Sequence, residues 1–183
     1  TPGMTEVLKA LGPFFFYAVV GIFAQNAVFT RALGVSRLVK LADDPEVDSL
    51  TFGVLICSVQ LISAPMAYFV NLWLNEQWYS AYARPLVLVL CSAVAFFIVL
   101  LLVVVFFRSS GAKDIVAVLP MATFNTCILG TLLIGTTRNF NLLQTMGFAL
   151  GSGLGYVLAL LVGAVIITIW PQLALVIPNA LYG

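Results

Sequence analysis

Phe124-Asn125-Thr126-Cys127-Ile128-Leu129-Gly130 is the stretch on which the fold turns. It sets an asparagine and a cysteine in the middle of an otherwise apolar run. Lipid offers an amide no hydrogen bond. Asn125 must therefore be held by another part of the protein, or the backbone must open beside it. An earlier stretch looks like its counterpart: Gln25-Asn26-Ala27-Val28, running on to Leu33-Gly34-Val35-Ser36. Both carry an Asn followed by Leu-Gly, about 100 residues apart.

Composition gives the surroundings of this pair. The chain is 62% hydrophobic and 8% charged, with a mean hydropathy of +1.13. A soluble domain carries roughly 25% charged residues, so this is an integral membrane protein. The net charge of +1 leaves no nucleic-acid footprint. There is no histidine, which removes the commonest metal ligand and neutral-pH proton carrier. Three cysteines without CxxC spacing do not make a disulfide framework. The first residues lack a basic region ahead of a short apolar one, so no signal peptide is expected.

A bilayer needs about 20 apolar residues per helix. Five segments qualify: Val7 to Thr30, Leu50 to Leu74, Pro85 to Phe107, Ile115 to Thr136 and Leu142 to Trp170. The apolar tail from Pro171 to Gly183 is broken by Pro178 and is too short to span. Trp73, Trp78, Tyr79 and Tyr82 suit an interfacial belt after the second segment. With alternating segments, Arg31, Arg37, Lys40, Arg108 and Lys113 share one side, and Lys9, Arg84 and Arg138 the other. That bias puts the N-terminus outside.

Asn26 and Asn125 fall in the first and fourth segments, so each opens one half of a duplicated unit. With three segments per half, the second half is inverted in the membrane. Such repeats place broken helices at the midplane. The competing reading makes each Asn a hydrogen-bonding link between two helices. Pro13 and Pro65 read as packing kinks, while Pro120, five residues before Asn125, fits a half-helix. Gly147, Gly151 and Gly155, with Gly153, read as a face for close helix approach rather than a phosphate loop. Cys57 and Cys91 read as small buried hydrophobes. Cys127, with its polar flanks, is the candidate soft metal ligand, although one thiolate cannot hold an iron–sulfur cluster. No acidic residue stands deep in a segment, so a proton pump within this chain alone is not expected. Sodium, which accepts neutral oxygens, fits unwound backbone better.

These features resemble the paired small membrane subunits of the Rnf and Na⁺-translocating NADH:quinone oxidoreductase (Nqr) complexes. Three places carry the likeness. Asn26 to Ser36 is similar to the family's Asn, apolar residues, then Leu-Gly-x-Cys. Asn125 to Gly130 is similar to its Asn-Cys-x-x-Leu-Gly. Arg138-Asn139-Phe140 with Gly147 to Tyr156 is similar to its Asn-Phe and Gly-rich fifth helix. The likeness implies an all-α integral membrane protein, an inverted repeat of three plus three helices with the first and fourth broken. Repeat one is expected at about 7–107 and repeat two at about 112–183 of a single membrane domain spanning 1–183.

The resemblance further implies that two such subunits pair face to face, each giving one Cys per repeat to a [2Fe-2S] cluster within the membrane. Electrons pass through it, coupled to Na⁺ or H⁺ movement. Cys127 is then the expected cluster ligand and Ser36 a degenerate ligand position. Asn26, Leu33, Gly34, Asn125, Leu129 and Gly130 shape the broken helices around them. Expected partners are the homologous paired subunit, flavoprotein and iron–sulfur subunits, and the bilayer of a bacterial or archaeal cytoplasmic membrane. An outside N-terminus agrees better with the A-type member of the pair than with the E-type.

Three departures stand against the pattern. Ser36 replaces the first-repeat Cys, and a hydroxyl is a poor substitute for a thiolate. Asn125 is one position further from Cys127 than in the Asn-Cys pair. The sixth helix is expected to be lacking. Two other readings follow: a structural subunit of such a complex without a cluster, and a small-solute membrane transporter with no redox role.

Overall fold

In the computed structural model, residues 2–26, 49–107, 112–170 and 172 are described. Long apolar runs leave the backbone no partner in lipid but itself, and the described residues answer with helices throughout. These are α1 (Pro2–Ile22), α2 (Ser49–Leu74), α3 (Ser80–Phe106), α4 (Ala112–Thr123), α5 (Thr126–Thr137) and α6 (Leu142–Ile169). Four are long and apolar enough to cross a membrane, and α4 with α5 makes a fifth span bent by 48°.

The expected segments hold with two adjustments. The third begins at Ser80, five residues ahead of Pro85. A proline so near a helix start removes an N–H that is short of partners anyway. The first segment was expected to run to Thr30, but its helix ends at Ile22. Gln25 N reaches back to Val20 O (2.7 Å), and Asn26 Nδ2 donates to Ile22 O (2.9 Å). That widened, π-type turn takes up carbonyls that a continuing helix would have used.

Helix α6 is the centre of the bundle. Its Gly147 and Gly151 lie directly on the backbone of α1, at Phe14 and Ala18. A Cβ on Gly155 would come within 3.1 Å of Gly21 O. Pairings that rise together along both helices mean that α1 and α6 run parallel. On the other side Gly153 packs on Cys57, whose Sγ would lie 2.6 Å from an added Cβ, and Gly53 packs on Val157. Here α2 runs antiparallel to α6. The glycine face is thus a close-approach surface, as read from the sequence.

The core gathers Phe52, Ile56, Val59, Ala95, Leu119, Ile128, Leu132 and Tyr156 from α2 to α6. Apolar residues on the outer faces, such as Phe16 of α1 and Leu90, Phe97 and Leu101 of α3, remain exposed, as a lipid-facing surface requires. At the turn between α5 and α6, Asn139 takes φ 51°, a left-handed conformation that Asn tolerates. Asn141 then starts α6 with a reciprocal capping box to Gln144. Phe140 between them packs edge-on against Tyr17 and Phe148, tying the turn to α1 and α6.

Candidate functional site at the helix break

The fourth span opens between Thr123 and Thr126. Phe124 N closes the last turn of α4 on Pro120 O (3.0 Å). Asn125 leaves helical geometry (φ −78°, ψ 135°), and its Oδ1 accepts from Cys127 N at 2.9 Å. An N-cap of this kind satisfies one of the amides freed at a helix start. The other end of the amide, Nδ2, donates to Tyr156 Oη at 3.2 Å. Asn26 donates to Gly155 O at 2.9 Å. The two asparagines of the sequence motif therefore meet neighbouring residues, Gly155 and Tyr156, at the middle of α6. Both are also helix-to-helix links, so the two readings of the pair are one arrangement.

Below the cap lies a buried polar cluster. Cys127, Gln60, Thr131 and Ser152 are each 4% exposed or less. Gln60 Nε2 on α2 lies 3.7 Å from Cys127 Sγ and 3.4 Å from Thr131 Oγ1. Cys127 Sγ and Ser152 Oγ are 3.7 Å apart. Thr131 Oγ1 donates to Cys127 O (2.8 Å) and stands 2.6 Å from Ser152 Oγ. Three helices, α2, α5 and α6, are joined here by neutral groups only.

Of the residues singled out in the sequence, Asn26, Asn125 and Cys127 converge on this region. Leu129 turns away toward Pro85 and Leu88 of α3. Gly130 is half-buried in the second turn of α5. Leu33, Gly34 and Ser36 lie outside the described residues. Sequence reasoning missed Gln60, Thr131 and Ser152. Gln60 carried a usable signal: an amide in mid-span is rare and faces the bundle interior.

The family profile described as "Rnf-Nqr subunit, membrane protein" matches residues 14–172. The chain belongs to the Rnf-Nqr family. It is 25% identical over 149 residues to the A-type component of the Na⁺-translocating ferredoxin:NAD⁺ oxidoreductase complex of Acetobacterium woodii, covering 81% of this chain and 77% of that protein. It is 25% identical over 163 residues to the A-type component of the ion-translocating oxidoreductase complex of Methanosarcina acetivorans, covering 87% and 79%. It is 26% identical over 176 residues to the E-type component of the Na⁺-translocating NADH-quinone reductase of Chlamydia trachomatis serovar L2, covering 90% and 70%.

Within this Rnf-Nqr chain the donor set at the break does not fit a [2Fe-2S] cluster shared with a second subunit. The Cys127 sulfur is fully buried and turned into the chain's own core, toward Gln60 and Ser152. A shared cluster needs thiolates that reach the subunit surface, and four of them. The register explains the mismatch. In the pattern Asn-Cys-x-x-Leu-Gly, Asn125 and Leu129-Gly130 put Thr126, not Cys127, in the cysteine slot. Thr126 is exposed while Cys127 is buried. The expectation that Cys127 is the ligand rests on residue type, and its sulfur faces Gln60 and Ser152 in the chain's own core.

Proposed function

We propose that this chain is a membrane subunit of an Rnf/Nqr-type ion-translocating oxidoreductase complex. In it, the chain shapes the ion path and holds the assembly together without ligating iron. Its relatives are named as subunits of Na⁺- or ion-translocating complexes that use ferredoxin, NAD⁺, NADH or quinone. The observation that carries the cluster-free reading is the pair Thr126 exposed and Cys127 buried at the break. Hydroxyls then stand at both positions where the resemblance expects thiolates, Ser36 and Thr126. Flavin and iron–sulfur chemistry falls to partner subunits. Arg31, Arg37, Lys40, Arg108 and Lys113 on the far side, against Lys9, Arg84 and Arg138 on the side of the N-terminus, favour an outside N-terminus in a cytoplasmic membrane.

The test is purification through a tag on this chain, with iron, acid-labile sulfide and EPR of the reduced sample. Wild type and Cys127→Ala are run side by side. Co-purifying flavoprotein and iron–sulfur subunits, with identical iron and spectra in both samples, support the reading. A [2Fe-2S] signal lost from an assembled Cys127→Ala complex overturns the cluster-free part. Recovery of the chain with no redox subunit overturns membership of the complex.

A further inference from the structure

Two buried amide oxygens on α2 have no hydrogen-bond partner: Gln60 Oε1 and Asn71 Oδ1. They are 11 residues apart, three helical turns, so they share one face of α2. Ala64 and Ala67 lie between them on that face and fill little of it. The result is a cavity of about 120 Å³ between α2, α5 and α6. Asn71, Thr131, Thr136 and Thr145 line it, with Asn75 and Asn139 toward the turns at the ends of α2 and α5. Its inner end, Thr131, is the same residue that bonds the Cys127 carbonyl and Ser152 beneath the break. The cavity thus runs from one end of the bundle toward the broken span.

The chemistry of the lining selects an occupant. Among the described residues, no Asp, Glu, Lys, Arg or His lines it. Of the two unpartnered oxygens only Asn71 Oδ1 lines the cavity, and as an acceptor it disfavours an anion there. A buried acceptor left alone costs about 1–3 kcal/mol, so a donor or a cation belongs there. The C-terminal ends of α2 and α5, with their partial negative charge, flank the space and outnumber the one N-terminus there, the start of α6 at Asn141. Asn71 Nδ2 points to one of those carbonyls, Thr136 O, at 3.5 Å, leaving Oδ1 for another partner. A divalent ion usually takes carboxylates, and none is present. Of the positive charges nearby, Arg84 is spent on the exposed Asn75 Oδ1 at 2.9 Å and Arg138 is exposed beside Asn139, where solvent screens both.

The geometry points to a binding site for a small monovalent cation in this cavity, with Asn71 Oδ1 as its buried ligand. The site deepens the reading of the chain as part of an ion-moving complex and gives it an entry station on the N-terminal side of the bundle.

The test uses the purified full-length chain in nanodiscs and needs no partner subunit. Tm is followed as NaCl, LiCl or KCl replaces choline chloride at constant ionic strength. A ligand that binds only the folded state raises Tm in proportion to its occupancy. Wild type should show a saturating rise with at least one of the three cations. Asn71→Leu should lose that rise, and Asn71→Asp should lower the half-saturating concentration by roughly tenfold through the added charge. A wild-type Tm identical in all four salts means that the cavity holds water only, and overturns the site. So does a full rise retained in Asn71→Leu. If Asn71→Leu does not fold, Asn71→Asp decides, and an unchanged half-saturation overturns the site. A chain that binds cation yet recovers no redox subunits would sink the complex and leave this site standing.

Discussion

Asn26 and Asn125 occupy matching places in two similar stretches, and their side chains do opposite work. Asn26 gives its amide hydrogens to carbonyls, Ile22 O behind it and Gly155 O across from it. It closes the end of a helix. Asn125 accepts the Cys127 amide and so starts one, while its nitrogen reaches Tyr156 Oη. A helix end frees carbonyls and a helix start frees amides, and a carboxamide serves either. This explains why Asn recurs at both places although the local geometry differs. It also means that, across to α6, one asparagine is tied to backbone and the other to a side chain.

The largest break in that comparison should come from Asn125→Ala. It removes the cap of α5 and takes one hydrogen-bond partner from a buried amide and another from a buried phenol. The expected loss is about 3 kcal/mol, measured by SDS-induced unfolding in mixed micelles. Asn125→Ser restores a capping oxygen and should recover about 1 kcal/mol of it. If Asn125→Ala were neutral, the bend would not depend on the cap.

Gly155→Val attacks the other side alone. An added Cβ would lie 2.9 Å from Asn26 Nδ2 and 3.1 Å from Ile22 Cα, while the cap on α5 is untouched. Overpacking of this kind costs about 2 kcal/mol. Asn26→Leu should cost less, about 1 kcal/mol, since interhelical hydrogen bonds in membranes are individually weak. The same unfolding assay ranks the three. A larger loss for Asn26→Leu than for Asn125→Ala would reverse which break holds the bundle.

Much of this was legible in the chain. Apolar runs gave four spans to within a few residues, because length and hydropathy are all that lipid demands of a helix. The glycines of α6 announced their packing by spacing. The broken fourth span was flagged by Pro120 and Asn125. What stayed hidden is the register between helices. Nothing along the chain says that Gln60 lies beside Thr131 and Ser152, since three crossings of the bundle bring them together. The reading of Cys127 turns on the same register. One residue along a helix turns a side chain by about 100°, which separates an exposed Thr126 from a buried Cys127. Residue type points to a metal ligand, whereas the direction of the side chain is visible only in the fold.

Tyr156→Phe is the finest cut. The ring is fully buried, 6.0 Å from that of Phe52, and Phe preserves its packing. Only the hydroxyl is lost. Asn125 keeps its bond to the Cys127 amide, so the cap survives and Nδ2 goes short. A single interhelical hydrogen bond in a membrane protein is worth about 0.6 kcal/mol on average, and that is the expected loss here. The same change made in Asn125→Ser should cost nothing further through this bond, because serine has no amide to offer. A coupling of about 0.6 kcal/mol between the two positions would assign the hydroxyl to Asn125. A loss of about 2 kcal/mol or more, surviving in Asn125→Ser, would assign it elsewhere. In that case Tyr156 would serve Asn26's side of α6 as well, and the two breaks would form one coupled unit instead of two independent closures.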